Sequence, residues 1–407
     1  MASHGGPGPG RSLNTVKARH PAGQLGFVIP CLLAVMFLVD VGLRLMSIDP
    51  LTFRAWEALL RNRPPGAAFE PSRRYDNPRS YGDLAALGNF PELRQYRPER
   101  FTTDALGFRN VPEILNEEVG AILAGDSFVV GSGVSDDETL SSRLSTLLGC
   151  VVYNAGSDAG RVVPDEILAL ARRLNMRNRL VIRLYTEGAE VPARPTRGEV
   201  LASRLSARTP ESVRTLAGKV RGLLTVSPLQ SLSGHAWKAV ANDRILPNRY
   251  AANVVRAALA NGDTMLFQAA QVNNFSRRRN LSLDYWKWLR DDLRQARFDP
   301  IAILVPSKYR VYRPFLVDQS PPSQPAADDL GRLEGALRAM GIPVLNLTPA
   351  ISAEAARHLV HGEYLYWLDD NHWNALGTAL AAAAIGAQWP LPGPVCDTRV
   401  SPAAKTP

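Results

Sequence analysis

Ser127, in "ILAGDSFVVGSG", and the stretch "YLYWLDDNHWNALG" at 364–377 hold the residues best suited to chemistry. A serine hydroxyl is a weak nucleophile until a base takes its proton. His372, one of six histidines in the chain, is such a base. Asp369 and Asp370 stand just ahead of it, where a carboxylate can orient an imidazole and stabilise its charged form. A serine in a Gly-flanked turn also offers its own amide to a developing oxyanion. Together these residues would perform acyl transfer from an ester through a covalent intermediate. His358 and His361 have no metal-ligand spacing, so no metal site is expected, and no cofactor either.

These side chains need a sheet that brings them to one edge. "VGAILAG" reads as a short apolar strand, followed by the helix "SDDETLSSRLSTLLG" with acidic residues in its first turn and Gly149 as its stop. "CVVYNAG", "LVIRLYT", "IAILVPSK" and "PVLNL" read as further strands. The helices between them are "VVPDEILALARRL", "LSLDYWKWLRDDLRQAR" and "DDLGRLEGALRAMG", and "ALGTALAAAAIGA" closes the series. Strands alternating with helices predict parallel βαβ units. In an open parallel sheet, ligands bind beyond the carboxyl ends of the strands. Ser127 follows the first strand there, and Asp370 and His372 precede the last helix. The core domain is expected over 116–390, after an irregular connector at 47–115. From 195 to 260 there are ten Lys/Arg against three Asp/Glu, and 188–280 reads as a helical insertion.

With those blocks placed, the chain from about 101 to 388 resembles the SGNH/GDSL hydrolase superfamily, in the branch of alginate-type polysaccharide O-acetyltransferases. Ser127 in "GDS" matches the nucleophile block and "YNAGSDAG" is similar to the second block. "LYWLDDNHWNALG" resembles that branch's Leu-Tyr-x-x-x-Asp-x-His-Trp-Asn signature, and "IAILVPSKYRVY" its strand ending in Pro-x-Lys before a Tyr. The resemblance implies a flavodoxin-like three-layer α/β fold with a parallel sheet and a Ser127–His372–Asp370 triad. Asp369 instead fits the superfamily's commoner Asp-x-x-His spacing. The oxyanion hole would use Ser127 with Ala159 or, preferably, Gly160. Where the third block usually offers Asn, Thr186 and Glu187 stand, leaving the third donor open. Lys308 reads as either a surface lysine or a substrate contact, and Trp373 as a packing residue or a sugar platform; Tyr312 joins them as a substrate-binding candidate. The implied partners are an acyl donor, a carbohydrate acceptor and a membrane-bound O-acyltransferase supplying acetyl groups. An esterase or deacetylase, and a non-catalytic scaffold in exopolysaccharide assembly, are the competing readings.

The net charge of +9 is spread as single residues, which argues for a basic solvated surface and against nucleic-acid binding. Three cysteines, Cys31, Cys150 and Cys396, give no disulfide framework, although a Cys150–Cys396 bridge stays open in an oxidising compartment. Residues 1–24 are polar and basic, and Leu25–Met46 are almost wholly apolar apart from Asp40 and Arg44. The run approaches the roughly 20 residues of a membrane span. Basic residues ahead of it place the N-terminus in the cytoplasm. The expectation is a single-pass protein of a bacterial inner membrane with its catalytic domain in the periplasm and a Pro-rich tail at 391–407.

Overall fold

The structure, a computed structural model, describes residues 22–45, 66–158, 160–194, 227–240, 251–318 and 327–389, with a few isolated positions between them. The chain divides into two units, Met1–Ser47 and Ile48–Pro407. The first contains the helix Ala22–Leu45, where the expected membrane span falls. Its described side chains from Phe27 to Val39 are all exposed. Among the described residues no helix is long and apolar enough to cross a membrane.

The second unit is built on a five-stranded parallel sheet. Its strands are β3 (Val119–Gly125), β4 (Val151–Gly156), β5 (Met176–Thr186), β8 (Asp299–Val305) and β9 (Val344–Asn346). Their order is β4-β3-β5-β8-β9, with every pairing parallel. The chain starts in the interior at β3, steps one way to β4, then returns to build the other side. That is the flavodoxin-like order, whose switch point lies beside the first strand. A parallel sheet must be covered on both faces, and β3 is buried at every position. Alternation along β8 sorts the faces. Ile301, Ile303 and Val305 join Leu144, Ile351 and Ile385 on one side. Ala302 and Leu304 meet Ile167, Trp286 and Leu333 on the other. Each large apolar side chain so buried contributes about 1.5–3 kcal/mol. The five expected strands and their helices are all present; Thr348–Leu359 is a further helix that the sequence reading passed over.

Two expectations need correction. The connector is not irregular where it is described: β1 (Arg74–Ser80) pairs antiparallel with β2 (Arg97–Thr102). Tyr75 and Phe101 lie opposite each other in that ladder, and Phe69 meets Phe101 edge-on at 5.0 Å. Nor is the insertion purely helical. After a helix at Pro228–Val240 come β6 (Val254–Ala258) and β7 (Thr264–Gln268), an antiparallel hairpin. β-branched and aromatic residues around the Asn261-Gly262 turn favour strand over helix there. Most of 195–250, Ala159, Cys396 and the tail lie outside the described residues. Cys150 is disulfide-bonded while Cys31 is free; the partner of Cys150, where the sequence left a bridge open, lies outside the described residues.

Candidate active site

β3 delivers Ser127 to the carboxyl edge of the sheet. At Gly125 a Cβ would stand 2.5 Å from Val129 and 3.0 Å from the Leu184 carbonyl, so the strand end passes there only without a side chain. Asp126 then caps the short helix Ser127–Val130 by accepting from the Phe128 amide at 3.0 Å. The Ser127 amide opens that helix, where no helical carbonyl can reach it.

The loop at 364–374 folds back on itself to meet this serine. Tyr366 and Trp373 form an antiparallel bridge, and Asn374 caps the following helix by accepting from Gly377 at 2.9 Å. Within the turn, Asp370 Oδ1 accepts from the amides of Asn371 at 2.6 Å and His372 at 3.3 Å. The same oxygen lies 2.7 Å from His372 Nδ1. An aspartate two residues ahead of a histidine thus reaches the ring by curling over its own backbone. With Nδ1–H given to Asp370, Nε2 is left to accept, and it lies 2.7 Å from Ser127 Oγ. The structure therefore brings Ser127, His372 and Asp370 into one hydrogen-bonded chain.

Asp369 does not face the imidazole. Fully buried, it accepts from the Gly82 and Gln95 amides at 2.7 and 2.9 Å and from Arg97 at 2.9 Å. Arg97 spans both carboxylates, giving its other arm to Asp370 at 3.1 Å, and its guanidinium stacks 4.1 Å above the Trp367 ring. Burial alone would raise the Asp370 carboxyl, but the His372 ring and Arg97 outweigh it and hold the group well below the usual carboxylate range. Burial pulls His372 down, yet Asp370, with Asp83 and Asp126 behind it, leaves its pKa raised.

The substrate-binding candidates lie elsewhere than expected. Lys308 is fully buried, neither a surface lysine nor a pocket wall. Its Nζ lies 2.6–3.1 Å from the carbonyls of Leu266, Trp367, Leu368 and Asp370. Four oxygens thus converge on three N–H groups, and the ammonium fastens the loop to β7. Burial pushes it down to about 7 against the pull of Asp370 and Asp369. Tyr312 is also fully buried, its hydroxyl accepting from the Leu365 amide at 2.9 Å. Trp373 packs edge-on against Phe128 at 5.0 Å, which settles it as a packing residue. Lys308 and Tyr312 are thus corrected from substrate contacts to supports of the loop, and of the two readings of Trp373 the contacts agree with packing.

A pocket of about 260 Å³ opens over the hydroxyl, lined by Phe69, Asp83, Ser127, Val130, Ser132, Asp158 and His372. Gly160, two residues past Asp158, takes the left-handed conformation at φ +59°, where a Cβ would fall 2.7 Å from that of Asp126. Its amide donates to the Ser157 carbonyl at 3.1 Å, so it closes a turn, and the expected oxyanion pairing with Ser127 is not formed in this conformation. Glu187, in the third block, serves Ser307 and Arg310. Asp83, Asp370 and His372 bring donor atoms within 4.8 Å of one another, but both His372 nitrogens and both Asp370 oxygens are already engaged as described.

Residues 263–397 match the family model described as the SGNH hydrolase-like domain of the acetyltransferase AlgX. The resemblance is to the SGNH superfamily, in its alginate O-acetyltransferase-like branch. This SGNH-like segment, about a third of the chain, holds Lys308, Asp370 and His372 and begins well after Ser127. No curated protein matches the chain. Outside the SGNH-like match lie the residues that sequence reasoning missed: Gly82, Asp83, Gln95 and Arg97. A signal for Arg97 existed. In "RPERF" the inward positions of β2 are Arg97, Glu99 and Phe101, and charges on the buried face of a strand mark a site.

Proposed function

We propose that the protein is an SGNH-type acyl-ester enzyme, an O-acetyltransferase acting on an extracytoplasmic polysaccharide. One observation carries this reading: the unbroken chain Ser127 Oγ–His372 Nε2, His372 Nδ1–Asp370 Oδ1, with both contacts at 2.7 Å beneath an open pocket. Ser127 attacks the acyl carbonyl while its proton passes to His372 Nε2. Asp370 stabilises the imidazolium, and the Ser127 amide faces the tetrahedral oxyanion. The imidazolium returns its proton to the departing alcohol, leaving an acyl-serine. A sugar hydroxyl then gives its proton to His372 and attacks, forming the new ester and freeing Ser127. Water in place of the sugar makes the enzyme an esterase. A degenerate scaffold would have no reason to keep this chain intact.

The full protein, incubated with an acetyl-ester donor with and without oligosaccharide acceptors, should yield an acetylated sugar detectable by mass spectrometry. Release of acetate alone would select the esterase reading. Ser127→Ala should lose the acetyl-enzyme adduct and all turnover, while stability changes by no more than about 0.5 kcal/mol. Retained turnover in that variant rules Ser127 out as nucleophile.

Membrane attachment through Ala22–Leu45, with the catalytic unit outside the cytoplasm, is part of the same proposal. Its support is the exposed apolar surface from Phe27 to Val39, since a helix apolar all round needs an apolar environment. The disulfide at Cys150 also suits an oxidising compartment. The whole chain should sediment with membranes, and a chain starting at residue 48 should remain in the supernatant. Equal partitioning of the two would refute attachment by this helix.

A further inference from the structure

Lys308 carries a charge for which packing gives no reason. It is fully buried, and its Nζ donates to main chain alone. The partners are the Leu266 carbonyl on β7 at 2.6 Å and the Trp367, Leu368 and Asp370 carbonyls at 2.7, 3.1 and 2.9 Å. A methionine of similar length would fill the space without desolvating an ammonium. The Leu368 and Trp367 carbonyls also accept from the Leu266 and Asp370 amides, at 2.9 and 3.4 Å. What Lys308 adds most directly is a hold on Asp370.

The place of that carbonyl bears on the triad. Asp370 reaches His372 by curling over its own backbone, with Oδ1 2.7 Å from Nδ1, so a shift of its peptide carries the carboxylate with it. Arg97 grips Asp369 and Asp370 by their side chains, while Lys308 grips the same turn by its main chain. Two carboxylates and two cations are thus buried together. The loop has further ties at its entry. The Tyr312 hydroxyl accepts from the Leu365 amide and the Tyr366 hydroxyl donates to the Pro306 carbonyl, both at 2.9 Å. Neither reaches the turn at 367–370.

We propose that Lys308 is a positioning residue of the triad, acting through the Asp370 carbonyl to keep that side chain against His372. Its role in turnover rests on the acyl-transfer reading above. An ammonium has three N–H groups for the four carbonyls and a neutral amine has two, so the hold slackens when Lys308 gives up its proton. Burial pushes that step down to about 7, against the pull of Asp370 and Asp369 from the turn, and Arg97 on β2 adds to the push. β7 faces the amine with the Phe267 ring, 5.3 Å away. On the helix of Lys308 itself, Arg310 is turned to Glu187. The fold as a whole does not slacken with the turn. An unfolded lysine keeps its proton to roughly 10.4. Between about 7 and that value the unfolded state therefore binds more protons, and stability through this group rises with pH.

The test uses the full chain in detergent, with p-nitrophenyl acetate as substrate. Nitrogen NMR of the labelled His372 ring reads which nitrogen carries the proton. Lys308→Met should lose about a hundredfold in kcat, the scale of a misplacement by an ångström, with KM unchanged. Its neutral His372 should no longer keep the proton on Nδ1 alone, a change that lost stability by itself would not produce. Wild-type kcat should rise as His372 deprotonates and fall again as pH passes about 7, the tautomers mixing in step; the variant should keep only the rising limb. Full turnover in the variant, or a ring still protonated on Nδ1 alone, would overturn the role. Should the variant not fold, the wild type decides: kcat and tautomer both steady to about pH 10 would overturn it equally. If the tautomer responds as expected but the wild type turns over no ester, Lys308 keeps its hold on His372 and the acyl-transfer reading fails by itself.

Discussion

Asp370→Asn is expected to lower turnover of an activated acetyl ester by about 10⁴, the scale of the equivalent change in a serine protease. An asparagine can turn its amide N–H toward Nδ1, which moves the ring proton to Nε2 and leaves nothing to accept from Ser127. The pH profile tests the same assignment. Only neutral His372 can act as base, and its pKa is raised in the folded protein. Wild-type activity should therefore climb with pH through a midpoint above the ordinary histidine value of about 6.5, and the residual activity of the variant should climb at a lower pH. The stability linkage has the same sign. The pair's contribution through His372 is fully present below about 6.5 and is lost as pH rises through the raised folded value. Asp370, held low, adds stability that is present above about 3.9 and is lost only in stronger acid. A midpoint that does not move between wild type and variant would remove Asp370 from this role.

Asp369→Asn should instead act on the fold, lowering unfolding free energy by about 3–5 kcal/mol, as expected for breaking one side of a buried ion pair. The Gly82 amide, the Gln95 amide and an Arg97 arm all point at its two oxygens. An asparagine keeps one oxygen and turns an N–H₂ group toward the remaining donors. Urea unfolding measures the loss, and ester turnover at low temperature reports on the molecules that stay folded. Unchanged stability with orders of magnitude lost in turnover would exchange the roles of the two aspartates.

The sequence disclosed the parts of the fold that obey simple periodicity. Apolar runs in β3 and β8 and the acidic helix start at Asp136 and Asp137 are local signals, and they place the sheet and Ser127 at its edge. The Asp-x-His spacing also carried through, because Asp370 reaches the imidazole within its own turn. What stayed hidden depends on distant chain segments meeting. Lys308 looks like any solvent-facing lysine until β7 and the 367–370 carbonyls close over it. Arg97 lies in a Pro- and Arg-rich stretch whose strand character comes from pairing with 74–80. The Gly160 amide was lost to a turn whose closure onto Ser157 no motif announces.

Arg97 also bears on how this protein can be taken apart. The matched segment begins at residue 263, yet three donors to Asp369 and one to Asp370 come from residues 82–97, and Ser127, the hydrogen-bond partner of His372, also lies ahead of it. Grafted onto another scaffold, residues 263–397 would carry His372 without Ser127 and a buried carboxylate stripped of its counter-charge. The boundary of the family match is thus not one along which the molecule can be cut; a graft would have to move residues 82–127 together with the loop they fasten.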